Sequence, residues 1–168
     1  MALRKIVLQG DEVLSKVCRP VTEFNSRLHE LLDDMTETLA ESGGVGLAAP
    51  QVGILRRVCL VMNEDDEIIE LINPEIIETE GEETALEGCL SVPGKYGEVT
   101  RPYYVRVRAQ DRDGEWFEAE DEGITARCFC HETDHLDGHM YNELCDVLMT
   151  EADIEAMLER GELEADED

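Results

Sequence analysis

Basic residues are scarce in this chain of 168 residues, and lysine occurs only at Lys5, Lys16 and Lys95. Lys and Arg number 14 against 41 Asp and Glu, which gives a formal net charge of -27. Such a surface repels phosphates, so free nucleic acid is not expected as a partner. The cause of the acidic excess stays open between a solvated acidic surface, adaptation to a salt-rich cytoplasm and a dedicated basic partner.

Long apolar runs are also missing. No uninterrupted stretch approaches the roughly 20 residues that cross a bilayer, and the N-terminal MALRKIVLQGDE lacks the apolar core of a signal peptide. The six cysteines are therefore expected in a reducing compartment rather than in disulfides. These absences predict a soluble cytoplasmic protein with no membrane partner.

Internal repeats, low-complexity linkers and breaks in composition do not occur in the sequence. A chain of this length can bury its core as one unit. We therefore predict a single catalytic domain over residues 1–160. The acidic remainder, residues 161–168, lacks aromatics and is expected to be a disordered tail.

Three helices are predicted from the spacing of apolar residues. Over residues 25–42 these recur every three or four positions, and Gly43 and Gly44 then end the pattern. A second helical period follows Gly123 and runs to about residue 136. A third runs from Thr150, a suitable N-cap, to about Arg160.

Short strands are predicted between the first two helices. Val58–Met62, Ile68–Ile72 and Tyr104–Ala109 are rich in β-branched residues and bounded by turn formers. Asp113-Gly114 predicts a hairpin turn into a strand over residues 115–118.

The most informative motif is His131-Glu132-Thr133-Asp134-His135, inside the second predicted helix. Two histidines four residues apart project from one face of a helix, so both can bind a single metal ion. Glu132 stands where a carboxylate can carry protons for metal-bound water without occupying the open coordination position. The alternative is a coincidental pattern in an ordinary solvated helix.

A catalytic site of this kind needs a third protein ligand. Cys89, in Glu87-Gly88-Cys89-Leu90-Ser91, follows a turn-forming glycine in a stretch unsuited to a regular helix. Segment 44–51, GVGLAAPQ, offers glycines that permit close backbone approach and the amide of Gln51 as a hydrogen-bond donor. Taken singly, a cysteine is more often a buried small hydrophobe, and a glycine-rich turn is more often structural.

Together and in this order, segments 44–51, 87–91 and 131–135 resemble the three motifs of peptide deformylases. The likeness extends over nearly the whole chain. It implies an α+β fold with mainly antiparallel sheets around a central metal-binding helix, an early amphipathic helix and a C-terminal helix. It also implies a hydrolase that removes the formyl group from formylmethionine of nascent polypeptides, which are the expected partners.

The resemblance implies that Cys89, His131 and His135 bind one divalent metal ion, ferrous iron in the cell, with zinc, nickel or cobalt as replacements. The cation lowers the pKa of its bound water, and the resulting hydroxide attacks the formyl carbon. Glu132 is then the general base, and it later protonates the departing amine.

The resemblance also implies roles in substrate binding. The side-chain amide of Gln51 and the backbone N–H of Leu90 would donate to the oxyanion that forms during attack. The backbone near Val45, Gly46 and Gly88 would pair with the substrate peptide as an added strand.

The chain departs from the family pattern at Cys130, where the family usually has glutamine. Cys128 and Cys130 suggest an alternative thiolate cluster. Both positions are expected to point away from the helix face of the two ligating histidines, so both cysteines are predicted to be structural. Asp134 is predicted to brace a ligand or to pair with an arginine such as Arg101.

The C-terminal helix differs from the basic helix through which family members can bind the ribosome. Its acidic residues outnumber its single arginine, so ribosome association by that route is not favoured. Those acidic residues are Glu151, Asp153, Glu155 and Glu159.

Two other functions remain alternatives. The spacing of the two histidines and Glu132 is shared with general zinc metallopeptidases, and a metal can also stabilise a fold in a noncatalytic binding protein. Cys89 and Gln51 argue against the first alternative, and Glu132 argues against the second.

Overall fold

A computed structural model describes residues 2–161 of the chain. Over this range the helices are α1 (Ser26–Ser42), α2 (Gly123–Leu136) and α3 (Glu151–Glu159). The strands are β1 (Gly46–Ala48), β2 (Val58–Met62), β3 (Ile68–Glu80), β4 (Glu83–Cys89), β5 (Val92–Arg101), β6 (Tyr104–Gln110), β7 (Trp116–Glu122) and β8 (Met149–Thr150).

The strands form two antiparallel sheets. The larger sheet has the order β1-β2-β3-β6-β7, and the smaller has the order β4-β5-β8. Every neighbouring pair of these strands is antiparallel. The predicted α+β class with mainly antiparallel sheets is therefore confirmed.

Strand β2 is buried on both faces because a helix packs against each face of the larger sheet. Cys59 and Val61 belong to the apolar cluster that contains Phe129 of α2. Val58 and Leu60 belong to the cluster that contains the buried face of α1. Successive strand residues point to opposite faces, so two-sided burial requires the uninterrupted apolar run of this strand.

Helix α1 begins and ends where its capping residues dictate. The side chain of Asn25 accepts a hydrogen bond from the backbone N–H of Leu28 at 3.2 Å, which satisfies one free donor of the first turn. Gly43 ends the helix in the left-handed region, at φ 74°. The helix predicted over residues 25–42 is confirmed, with Asn25 as its cap.

Strand β3 is longer than the sequence predicts. The prediction ends the strand at Ile72, before Asn73 and Pro74, but the strand continues to Glu80. The register of β3 against β6 shifts between Ile72 and Glu75, so Asn73 and Pro74 have no partner in the ladder. Pairing with β6 resumes at Glu75.

The sequence pattern does not predict the hairpin of β4 and β5. The one buried residue of β4 is Glu87 rather than an apolar side chain, so the alternation that identifies most strands is weak here. This hairpin carries Cys89 at the end of β4. It therefore decides where the predicted third ligand lies.

The remaining predicted elements occur with small changes at their ends. The hairpin turn at Asp113-Gly114 is present, and its second strand is β7 rather than residues 115–118. Thr150 caps α3 by accepting a hydrogen bond from the backbone N–H of Asp153 at 3.2 Å.

Residues 162–168 of the predicted acidic tail lie outside the described residues. None of the helices in the described range is long and apolar enough to cross a membrane.

Candidate metal centre

Helix α2 brings the two histidines and the glutamate of the central motif into the interior. The relative exposures of His131, Glu132 and His135 are 8%, 3% and 1%. The ring centroids of the two histidines are 5.0 Å apart, as their spacing of one helical turn requires. The expected shared face of the two imidazoles is therefore present.

Cys89 reaches the same place from the β4–β5 hairpin. Its Sγ lies 3.4 Å from Nε2 of His135. One ligand atom each from Cys89, His131 and His135 can be chosen so that all three lie within 4.8 Å of one another. In the described part of the chain this is the group of side chains with the spacing of a metal site.

Gln51 joins the cluster from the 3-10 turn that follows β1. Its Oε1 accepts a hydrogen bond from the backbone N–H of Ala48 at 2.9 Å, which fixes the orientation of the amide. Its Nε2 then donates to Ser91 Oγ at 3.1 Å and to Cys89 Sγ at 3.4 Å. The segments around residues 51, 89 and 131 thus converge although they are far apart in sequence.

The carboxylate of Glu132 is enclosed between α2 and β1. A Cβ added at Gly46 would overlap Glu132 Oε2 and come within 2.7 Å of Cys128 Sγ, so any larger residue there would have to displace these side chains. Burial raises the pKa of Glu132 to about 7. Its Oε1 is buried and finds no hydrogen-bond partner among the described residues.

A pocket of about 480 Å³ opens beside the cluster. Its wall includes every residue that the sequence predicts for the site except His135: Val45, Gly46, Gln51, Gly88, Cys89, Leu90, His131 and Glu132. Gly88 lies at a register shift between Glu87 and Cys89, where the β4–β5 ladder is interrupted.

Glu87 is a component of the site to which sequence reasoning assigns no role. Its Oε1 accepts a hydrogen bond from Nδ1 of His131 at 2.8 Å. Burial acts to raise the pKa of Glu87, but hydrogen bonds from Arg101 and His131 outweigh burial and hold it well below its usual range. Because the sequence pattern does not identify β4, it gives no signal that would have placed Glu87 in the site.

Arg101 connects Glu87 to the helix. Its Nε and Nη2 donate to the two carboxylate oxygens of Glu87 at 2.8 and 2.9 Å, and its Nη1 donates to Asp134 Oδ2 at 2.8 Å. The predicted pairing of Asp134 with Arg101 is therefore confirmed. Arg127, which has no predicted role, donates to Glu87 Oε2 at 2.7 Å.

The two histidines experience different electrostatic environments. Burial lowers the pKa of His135 to about 3. Burial also acts to lower the pKa of His131, but the charge of Glu132 and hydrogen bonds to Cys89 and Glu87 raise it to about 10. Negative groups that favour a proton on His131 also favour a cation beside it.

The cluster fits a divalent metal by its donor chemistry. A thiolate and two imidazoles suit zinc and the late first-row metals, and such ligand sets leave a position open. The hydrogen bond from Nδ1 of His131 to Glu87 leaves Nε2 as that ring's ligand atom. Oε1 of Glu132 is buried and makes no hydrogen bond to the described residues, so it is free to accept a proton or a hydrogen bond from a molecule bound in the pocket.

The prediction that Cys128 points away from the site is wrong. Cys128 lines the pocket, and its Sγ lies 4.0 Å from Glu132 Oε2 because residues four apart share a helix face. Burial raises the pKa of its thiol well above the usual value. Among the described residues, the group with metal-ligand spacing consists of Cys89, His131 and His135, and the structural role of Cys128 and Cys130 stays a prediction.

Comparison with known proteins gives one family. The model of the family described as polypeptide deformylase matches residues 3–148. The peptide deformylase of Agathobacter rectalis is 58% identical over 143 residues, which cover 85% of this chain and 90% of that protein. Peptide deformylase 1 of Bacillus subtilis is 48% identical over 158 residues, which cover 94% and 99%.

A solved structure has the same fold. The crystal structure of peptide deformylase from Thermotoga maritima superposes with a TM-score of 0.82 at 40% identity. The match covers 86% of this chain and 99% of that one.

Proposed function

Since the chain belongs to the polypeptide deformylase family, we propose that it removes the N-formyl group from formylmethionyl peptides by hydrolysis at the cluster of Cys89, His131 and His135. Membership makes the chain a hydrolase of N-terminal processing in protein biosynthesis. The detailed proposal rests on one observation: this cluster and the buried carboxylate of Glu132 lie beside the same pocket.

Cys89, His131 and His135 would hold one divalent metal ion. When bound, the ion supplies a Lewis acid that lowers the pKa of water and polarises a carbonyl oxygen. We infer ferrous iron as the metal used in the cell, with zinc, nickel or cobalt as replacements, from the family resemblance; the mixed sulfur and nitrogen donor set can hold each of these metals.

Glu132 would move the proton. Its buried carboxylate lines the pocket beside His131, within reach of a water that attacks a substrate held there. As base it accepts the proton of that water, and as acid it delivers the proton to the departing amine nitrogen. The second step is necessary because an amide nitrogen is too basic to leave without a proton.

Gln51 and Leu90 would stabilise the negative charge that develops on the formyl oxygen. The amide of Gln51 is held by Ala48, so its Nε2 is already oriented toward the cluster before substrate binds. The backbone N–H of Leu90, in the turn between β4 and β5, is the second proposed donor. Preoriented donors are effective because they need no reorganisation during the reaction.

The substrate backbone would bind between the edge of β1 and the β4–β5 hairpin. Strand β1 is an edge strand of its sheet, and Val45 and Gly46 line the pocket. Across the pocket, the ladder is interrupted at Gly88. Pairing through main-chain groups tolerates many downstream sequences, as a processing enzyme for nascent chains requires.

Nascent N-formylmethionyl peptides are thus the proposed partners, in the cytoplasm. Docking on the ribosome through α3 is not favoured by the charge of this helix. The helix carries Glu151, Asp153, Glu155 and Glu159, and these charges would repel the phosphates of ribosomal RNA.

The decisive experiment compares Glu132→Gln with the unsubstituted protein. Both should bind one Co²⁺ per chain with similar affinity, because Glu132 is not a ligand in the proposal. Formate release from formyl-Met-Ala should fall by at least about 100-fold in the variant, the loss typical of a missing general base. Unchanged turnover would reject the proton-carrier role.

A substrate comparison separates this proposal from a general metallopeptidase. The unsubstituted protein should release formate from formyl-Met-Ala and leave an unformylated Met-Ala-Ser peptide uncleaved. Cleavage of an internal amide in that peptide would favour the metallopeptidase. Metal binding without either reaction would favour a purely structural metal.

A further inference from the structure

We propose that Arg127 is a positioning residue of this site, which orients Glu87 and through it the ring of His131 for metal binding. The inference deepens the proposed function and rests on it, because it requires that His131 is a ligand. Neither the pattern of the central motif nor the mechanism above uses Arg127.

Arg127 is buried and its guanidinium is held in one plane. It lies on α2, four residues before His131, and is 6% exposed. Its Nη1 donates to Glu87 Oε2 at 2.7 Å and to the carbonyl of Val99 at 2.8 Å. Its Nη2 donates to the carbonyl of Glu83 at 2.7 Å. A planar fork with three acceptors has little freedom to rotate.

Glu87 receives two hydrogen bonds on each oxygen. Oε1 accepts from His131 and Arg101, and Oε2 accepts from Arg101 and Arg127. The bond from Arg127 leaves Oε1 directed at the imidazole. Without Arg127, Oε2 would lose one of its two donors, and Arg101 would be the one remaining arginine that resists rotation of the carboxylate away from His131.

The same contacts set the spacing between the two elements that carry the proposed ligands. Glu87 lies on β4, two residues before Cys89, whereas Arg127 and His131 lie on α2. Arg127 and His131 therefore bind the same carboxylate of β4 from successive turns of one helix. A shift of α2 against β4 would move the imidazoles away from the thiol.

The charge of Arg127 and its proposed positioning role predict opposite changes in metal affinity when the residue is removed. The direction of the measured change therefore distinguishes them. Arg127 is cationic, so its removal should strengthen the binding of a cation nearby if Coulomb repulsion dominated. Loss of a positioning residue should weaken metal binding instead, because the His131 ring and Glu87 would need to be ordered when the metal binds.

The test measures Co²⁺ binding to metal-free protein prepared with a chelator. Arg127→Met should weaken the affinity for Co²⁺ by about tenfold, at the low end for residues that orient a ligand, and should alter the visible spectrum of the cobalt form. Arg127→Lys, which keeps the charge but not the fork, should lose about two- to fivefold. Arg106→Met, which removes a half-buried, ion-paired arginine of the larger sheet far in sequence from the proposed ligands, is the control and should change neither readout.

A double-mutant cycle tests whether Arg127 acts through Glu87. In the Glu87→Gln background, Arg127→Met should change Co²⁺ affinity by less than about twofold, because the intermediate carboxylate is already gone. A further tenfold loss in that background would overturn the proposed route.

The outcomes separate this inference from the function on which it rests. Unchanged or tighter Co²⁺ binding by folded Arg127→Met overturns the positioning role alone. If that variant does not fold, unchanged affinity and spectrum in Arg127→Lys overturn it. Absence of Co²⁺ binding by the unsubstituted protein would overturn both the inference and the proposed function.

Discussion

Oε1 of Glu87 lies 2.8 Å from Nδ1 of His131, although 44 positions separate the two residues in sequence. Hydrogen bonding at Nδ1 selects the ring tautomer that presents Nε2 to the site. Glu87 is itself held by two buried arginines. The orientation of one proposed ligand therefore depends on a charged network outside the ligand set.

Removal of Glu87 should destabilise the metal-free protein. Glu87→Ala leaves Arg101 and Arg127 buried without their main counter-charge, so the free energy of unfolding should fall by about 3–5 kcal/mol. Urea denaturation measures the change. Glu83→Ala is the control, since its ion pair with Arg127 spans 3.8 Å and its side chain is 40% exposed, and it should cost less than about 1 kcal/mol. Equal losses would contradict the structural role of Glu87.

Metal removal should abolish formate release reversibly. A chelator should inactivate the protein and lower its melting temperature, and added Co²⁺ should restore both, because a metal that binds only the folded state stabilises it. Cys89→Ala should lose stoichiometric metal, whereas Cys145→Ala should retain it. Elemental analysis after anaerobic purification measures the metal content, and metal retention by Cys89→Ala would exclude that thiol as a ligand.

Gly46 should tolerate no side chain. In Gly46→Ala the new methyl would overlap Glu132 Oε2, so the carboxylate must move and turnover of formyl-Met-Ala should fall by about tenfold or more. Co²⁺ binding should persist, because the proposed ligands are untouched. In Gly44→Ala the three atoms nearest to the new methyl all belong to the flexible side chain of Leu90, the closest at 3.1 Å, and the loss should be small. Similar activity of both variants would show that Glu132 has room to move.

Asp34, which holds the N-terminal segment through Ala2 and Arg4, should make the free energy of unfolding depend on pH. It is buried on α1, and the backbone N–H of Ala2, followed by the Arg4 guanidinium, lowers the pKa of its carboxyl below 3.8. A carboxyl whose pKa is lowered by folding stabilises the folded state at every pH above its ordinary pKa. This contribution is lost as the pH falls through the lower pKa of the folded state.

Asp34→Asn should therefore lower the free energy of unfolding by about 1–3 kcal/mol at pH 7. The difference from the unsubstituted protein should shrink below pH 3.8. Urea titrations at several pH values measure it. Asp65→Asn, in an exposed turn, should change stability at pH 7 by less than about 0.5 kcal/mol. A difference for Asp34→Asn that grew toward acid would contradict the assigned sign.

Local rules predict the parts of the fold that local interactions create. The end of α1 at Gly43 and the strand Val58–Met62 are predicted, because the backbone freedom of glycine and a run of β-branched residues act within a few neighbouring positions. The same rules miss the β4–β5 hairpin. The one buried residue of β4 is Glu87, whose burial depends on arginines from β5 and α2.

Cys128 shows that a local rule must be applied to all of a helix face. Residues 128, 131, 132 and 135 follow one stripe, so helical spacing itself places the thiol beside Glu132. The prediction separated Cys128 from the histidines and was wrong for that reason. No tertiary information was needed to avoid the error.

By itself the sequence determined the kind of site, which is a pair of imidazoles one helical turn apart with a carboxylate between them. This was possible because helical periodicity arises within a few consecutive residues. The tertiary structure alone decided that Sγ of Cys89 stands 3.4 Å from Nε2 of His135 across 46 positions, and that Glu87, Arg101 and Arg127 form one network. Such contacts depend on strand register and on packing of α2 against both sheets. Those quantities arise from the folded chain as a whole, so no local stretch of residues encodes them.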